Sequence, residues 1–86
     1  MIYQEILMID VGFKNFIRGN RITFILKPGS TKVKWLIKEA LASRRIINCT
    51  QGKKVGSILI LNTSHLVLSP LKYSSIIKRI KSDPNI

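Results

Sequence analysis

Two glycine turns carry the residues best suited to chemistry. In Thr50-Gln51-Gly52-Lys53-Lys54, two adjacent lysines stand beside a glycine that tolerates the positive φ of a tight turn. Arg18 and Arg21 bracket a second turn pair, Gly19-Asn20. Side chains at a turn tip do not reach a core, so Lys53 and Lys54 project into water together. Two projecting ammonium groups hold phosphate oxygens through charge-assisted hydrogen bonds. Lysines are also the ordinary residues of solvated turns, and the pair alone does not separate the two readings. If both turns emerge on one edge of a sheet, Arg18, Arg21, Lys53 and Lys54 form a single cationic patch.

Catalytic chemistry has little to work with. The acids are Glu5, Asp10, Glu39 and Asp83, and no two are spaced as an acid/base pair. His65 is the sole histidine, and a lone histidine beside a turn reads as a structural hydrogen-bonder. Cys49 is the sole cysteine, so no intrachain disulfide or thiolate metal cluster forms, and its place on a strand reads as a small buried hydrophobe. The glycines are scattered, without a phosphate-loop or dinucleotide spacing. No cofactor or metal is expected, and an enzyme is the class these residues support least.

The elements that position the turns follow from periodicity. Glu5 to Val11 reads as a strand that Gly12 interrupts, and Phe13 to Ile17 resumes an extended pattern. Arg21 to Lys27 alternates, with Ile22, Phe24 and Leu26 on one face. Pro28-Gly29-Ser30 breaks the strand, and Ser30 is suited to cap a helix. Val33, Leu36, Ile37, Ala40 and Leu41 then fall on one helical face, with Lys32, Lys34 and Lys38 elsewhere on the wheel. Trp35 lies beside this stripe and reads as packing at a core edge or an interface. Arg44 and Arg45 follow, where cations complement the helix dipole. Ile46 to Cys49 and Val55 to Leu61 are apolar runs joined by the lysine turn, which reads as a hairpin. Asn62-Thr63-Ser64 is another turn, and His65 to Ser69 a last strand that Pro70 ends. From about Lys72 the chain is helical, with Tyr73, Ile76, Ile77 and Ile80 on one face. Ser82 to Ile86 reads as a frayed tail. The expected fold is α+β: a mainly antiparallel sheet, one amphipathic helix packed on it and a short C-terminal helix.

The 86 residues suffice for one small domain, expected to be ordered from about residue 4 to about residue 81. Hydrophobic residues make up 45% of the chain, generous for so short a sequence, and part of that surplus suits a subunit interface. Fifteen Lys and Arg against four Asp and Glu give a net charge of +11. Self-repulsion at that level points to a polyanionic partner. Nucleic acid comes first, an anionic membrane second and an acidic protein third. Apart from Trp35 and Tyr73, aromatics are not interleaved with the cations, so no stacking platform for single strands emerges. No apolar run approaches the ~18 residues of a membrane span. The start, Met1 to Glu5, lacks the basic region of a signal peptide. A reducing compartment is expected. Heavy use of Ile, Lys and Asn fits an A+T-rich genome.

Several stretches also follow one another in a specific order: Ile9-Asp10-Val11-Gly12-Phe13-Lys14-Asn15, Gly19-Asn20-Arg21-Ile22, Thr50-Gln51-Gly52-Lys53-Lys54, and Ser64-His65-Leu66-Val67-Leu68-Ser69. From about residue 7 to residue 81 the chain resembles the RemA-like family of small bacterial extracellular-matrix regulators. The family patterns are roughly N-I-G-F-G-N, S-A-N-R, a helix after S-P-E-S, D-A-T-Y-G-R-R-T-R and D-H-V-I-L-S. Departures from them are specific. Lys53 and Lys54 stand for paired arginines, Gln51 for a tyrosine, Gly56 for an arginine and Asn48 for an aspartate, while Pro28-Gly29-Ser30 replaces Pro-Glu-Ser. Lysine keeps the charge and loses the bidentate fork, which favours phosphate contact over base-edge reading.

The resemblance implies a sequence-influenced DNA-binding regulator without enzymatic activity. Family members assemble into rings of about seven or eight subunits that present basic loops to duplex DNA. By position it implies Arg21, Lys53 and Lys54 as DNA contacts; Arg18 is added from charge alone. The expected partners are duplex DNA and further copies of the chain, with no membrane and no small-molecule substrate. The expected place is the cytoplasmic nucleoid, or the plastid stroma for an organelle-encoded chain. An RNA-binding or ribosome-associated protein would share the charge and is the alternative.

Overall fold

The computed structural model describes residues 7–81. The expected strand start at Glu5, the acids Glu5 and Asp83, and the tail Ser82–Ile86 lie outside the described residues. In chain order the elements are β1 (Met8–Asp10), β2 (Phe16–Arg18), a 3₁₀ turn (Gly19–Arg21), β3 (Ile22–Leu26), α1 (Thr31–Ala42), β4 (Ile46–Asn48), β5 (Ser57–Leu61), β6 (Leu66–Ser69) and α2 (Tyr73–Lys81). The class is α+β, as the periodicity predicts.

Four strands form the central sheet in the order β3-β5-β6-β4. β5 pairs antiparallel with both β3 and β6, and β4 runs parallel to β6. Side chains alternate through the sheet, as a pleated strand requires. Ile58, Leu66 and Leu68 point to one face, where Val33 and Ala40 of α1 cover them. Leu59 and Val67 point to the other, where they meet Ile9 and Val11 from the β1–β2 region, Cys49, and Ile76 of α2. The sheet is thus packed on both faces. Ile58, Leu59, Val67 and Ile76 are fully buried, each worth roughly 1.5–3 kcal/mol of transfer free energy.

α1 begins where Ser30 caps it. The Ser30 hydroxyl accepts from the Val33 N–H at 3.1 Å. Val33 and Ala40 are buried and Leu36 and Ile37 half-buried, but Leu41 is 62% exposed and Trp35 57% exposed. The apolar stripe is therefore wider than the face the sheet covers.

Two strand-level expectations are corrected. The runs on either side of the lysine turn do not form a hairpin, because β6 lies between β4 and β5. Cys49 donates to the Leu68 carbonyl at 2.9 Å and Gly56 donates to the Ser69 carbonyl at 2.8 Å, so the connection straddles the end of β6. β6 explains the choice. All four of its residues are buried, and a strand buried on both faces needs a neighbour on each edge. The second correction concerns β3. Its register with β5 shifts between Ile22 and Phe24, where Thr23 is bulged and its hydroxyl bonds the Ile60 carbonyl. The bulge puts Ile22 and Ile25 on the α2 side and leaves Phe24 62% exposed, so Ile22 and Phe24 do not share a face.

Candidate nucleic-acid interface

The lysine turn is built on Asn48. Its side-chain oxygen accepts from the Thr50 N–H at 2.9 Å and from the Thr50 hydroxyl at 2.6 Å. Thr50 is buried, and its carbonyl accepts from the Lys53 N–H at 2.9 Å. Gln51 (φ 48°) and Gly52 (φ 81°) sit between them, the sign pattern of a type I′ turn. The turn has the geometry of a hairpin tip without hairpin strands. A fixed turn holds Lys53 and Lys54, both exposed, off the body of the protein.

The second turn is set by backbone bonds. Gly19 donates to the Leu7 carbonyl at 2.8 Å, and Asn62 donates to the Arg21 carbonyl at 2.7 Å. The second bond ties the 3₁₀ turn to the Asn62–Ser64 turn. Arg18 and Arg21 are both exposed.

The two turns are not on one edge, so the condition for a single patch of the four cations is not met within one subunit. Strand directions place them at opposite ends. Leu61 pairs with Ile22 beside Arg21, while Ser57, at the other end of β5, pairs with Ser69 beside the lysine connection. At about 3.4 Å per residue, β5 alone separates the ends by roughly 14 Å. That exceeds the ~8 Å Debye length at physiological ionic strength, so the two ends act electrostatically as separate sites.

Each end gathers further cations. The lysine end holds exposed Lys14, in the β1–β2 loop that Ser69 binds, and Lys27 and Lys72, which flank the strand termini there. The arginine end holds Arg44 and Arg45. Arg45 is committed to structure: its guanidinium donates to the Ser43 hydroxyl and to the Ser64 carbonyl, both at 2.7 Å. Sequence reasoning left Lys27 and Lys72 unassigned. Their signal was position: Lys27 is the last residue of the predicted strand Arg21 to Lys27, and Lys72 stands two residues after the proline that ends the last strand. All fifteen Lys and Arg fall within the described residues, where Asp10 and Glu39 are the only carboxylic side chains.

The remaining candidates have structural settings. His65 is half-buried, with its Nδ1 2.8 Å from the Thr63 hydroxyl. Cys49 lies in the core on the α2 side, and burial pushes its thiol pKa up.

A family model described as RemA-like, extracellular matrix regulatory protein A-like, matches residues 8–80. A protein of Thermodesulfovibrio yellowstonii, provisionally named as a regulatory protein, is 34% identical over 74 residues, covering 86% of this chain and 87% of its own. Another with that provisional name, from Acaryochloris marina, is 30% identical over 80 residues, covering 93% of this chain and 91% of its own. A third, from Oleidesulfovibrio alaskensis, is 32% identical over 82 residues, covering 95% of this chain and 98% of its own.

Proposed function

The chain belongs to the RemA-like family, and from that premise we propose that it is a non-enzymatic regulatory protein that binds duplex DNA. Lys53 and Lys54 at one end of the sheet, and Arg21 with Arg18 at the other, neutralise phosphates of the duplex. The observation that carries the reading is the Asn48–Thr50 turn, in which two part-buried hydrogen bonds to one side-chain oxygen fix the loop that holds two lysines in solvent. Charge supports it, because few carboxylates compete for these cations. The ends lie too far apart to act as one patch, so a continuous track for the duplex requires several copies. Exposed Phe16, Phe24, Trp35, Leu41 and Ile47 supply apolar surface for such an assembly, in keeping with the ring that family resemblance implies. A ring multiplies weak contacts through effective concentration. No helix among the described residues is long and apolar enough to cross a membrane.

The test is binding of a fluorescent duplex over a salt series, with mass measured in parallel and duplex RNA as competitor. Arg21→Ala and the Lys53→Ala/Lys54→Ala double variant should weaken binding across sequences. The slope of log K against log salt should become shallower by about 0.9 per lost phosphate contact in each engaged subunit. Mass should stay several times 9.8 kDa. Lys38→Ala, on the exposed face of α1, should change little. An unchanged slope in the lysine double variant removes the turn as a DNA contact, a clean monomer removes the ring, and preferential displacement by RNA favours the ribonucleic alternative.

A further inference from the structure

At the lysine end a groove of about 580 Å³ opens between the segment after β3 and the start of α2. Lys27 and Pro28 form one wall, Lys72, Tyr73 and Ser74 the other, and Gly56 lies at its base. The Lys27 ammonium stands 5.2 Å from the centre of the Tyr73 ring, within cation–π range. Lys27 and Lys72 are both exposed, and among the described residues no carboxylate lines the groove.

The second wall is fixed in place. The buried Ser57 hydroxyl donates to the Leu71 carbonyl at 2.8 Å, and the Leu71 N–H donates to the buried Ser69 hydroxyl at 3.0 Å. Gly56 lets the chain entering β5 lie directly against this segment: a Cβ there would collide with the Leu71 backbone carbonyl. Lys72 follows the pinned residue, so the chain that carries it cannot drift. Lys27 is restrained from the other side by the Tyr73 ring. The groove therefore carries one ammonium held over a ring and a second lysine on a fixed stretch of backbone, with Gly56 and Ile77 in its lining, which suits a phosphate with its attached sugar.

Its position selects the source of that phosphate. Neighbouring strands lie about 4.8 Å apart, so the ends of β3, β5, β6 and β4 form a row roughly 14 Å long. Lys27 stands at the β3 end of the row, Lys72 beyond the end of β6, and Lys53 and Lys54 in the connection that arrives from β4. A row of lysines along one end of the sheet matches a chain of phosphates better than one small anion.

We infer that the Lys27–Lys72 groove binds a phosphodiester of the same duplex that Lys53 and Lys54 contact, so that the backbone runs along the lysine end of each subunit. This rests on the DNA-binding reading above. It assigns to Lys27, Lys72 and Tyr73 a role that the family motifs do not carry. Tyr73 acts by steering the Lys27 ammonium.

The test compares the full-length protein with Lys27→Gln/Lys72→Gln, Lys53→Ala/Lys54→Ala and the fourfold variant, by duplex binding over a salt series. Ring resonances of Tyr73 are followed by NMR as duplex, inorganic phosphate or a mononucleotide is added. The glutamines keep most of the stem, and both positions are exposed, so folding should survive; the Tyr73 signals of the free variant report it. The expected result is a slope shallower by about 0.9 per engaged subunit if one phosphate is shared, or about 1.8 if each lysine holds its own. The fourfold variant should lose the sum of both changes, and duplex should move the Tyr73 ring signals of the native protein. An unchanged slope in the glutamine variant, with a loss in the Lys53/Lys54 variant, overturns the groove and leaves the DNA reading standing. Unchanged slopes in both variants overturn both. Tyr73 signals that move with phosphate or mononucleotide but not with duplex make the groove a small-anion site and overturn the inference.

Discussion

The Ser69 hydroxyl donates to the Val11 carbonyl at 2.6 Å, joining the end of β6 to the loop after β1 across 58 positions of sequence. The same hydroxyl accepts from the Leu71 N–H at 3.0 Å. One buried oxygen thus fixes two loops to the sheet end that carries the lysines. Ser69→Ala leaves a buried carbonyl and an N–H without these partners, a loss of roughly 2 kcal/mol. For a domain of this size that lowers Tm by on the order of 10 °C, read by circular dichroism at fixed protein concentration. A shift of a degree or two would show that water replaces the hydroxyl at no cost.

Asn48 controls the lysine turn through its side-chain oxygen alone, which makes its variants diagnostic. Asn48→Ala removes the acceptor for two Thr50 donors and should cost about 2 kcal/mol or less, since the turn lies at the surface. Duplex affinity should fall with it although no cation is changed. Asn48→Asp keeps an oxygen in the same place and should restore stability and most of the affinity. Equal binding by all three proteins would mean that the turn needs no side-chain support.

The Cys49 thiol sits in the core on the α2 side, and burial pushes its pKa up. The native state therefore holds this proton at pH values where the unfolded chain has released it. Stability contributed by this group is complete below the unfolded thiol range and is lost as pH rises through it toward the higher folded value. Denaturant melts at increasing alkaline pH should show that decline, and Cys49→Ala should flatten it. Alkylation of the native protein near neutral pH should be on the order of 100-fold or more slower than in denaturant. Comparable rates would place Cys49 at the surface.

Much of this architecture is legible in the residues. Ser30 and the spacing of Val33, Leu36, Ile37 and Ala40 suffice for α1, because a cap and a helical stripe are local facts. Tyr73, Ile76 and Ile80 do the same for α2. Strand pairing is a different matter. The turn signal at Gln51-Gly52 is real, yet it specifies only the turn, and the partners of β4 and β5 are decided by burial of Leu66-Val67-Leu68. That uninterrupted apolar run, read as a strand needing neighbours on both edges, is the sequence clue to the straddling connection. The bulge at Thr23 has no comparable signal. The candidate cations were legible one by one, but their grouping was not, because opposite ends of a sheet are assigned by strand direction.

The cations that strand pairing assigns to the two ends are sorted by chemical type. Lys14, Lys27, Lys53, Lys54 and Lys72 stand at one end, and Arg18, Arg21, Arg44 and Arg45 at the other. Acylation erases the charge of an ammonium and leaves a guanidinium untouched. An acyl donor therefore silences the Lys53–Lys54 end while Arg18 and Arg21 keep their full charge. The Lys53–Lys54 turn carries a charge that its chemical history can rewrite, and the Arg18–Arg21 turn carries a charge written permanently into the chain.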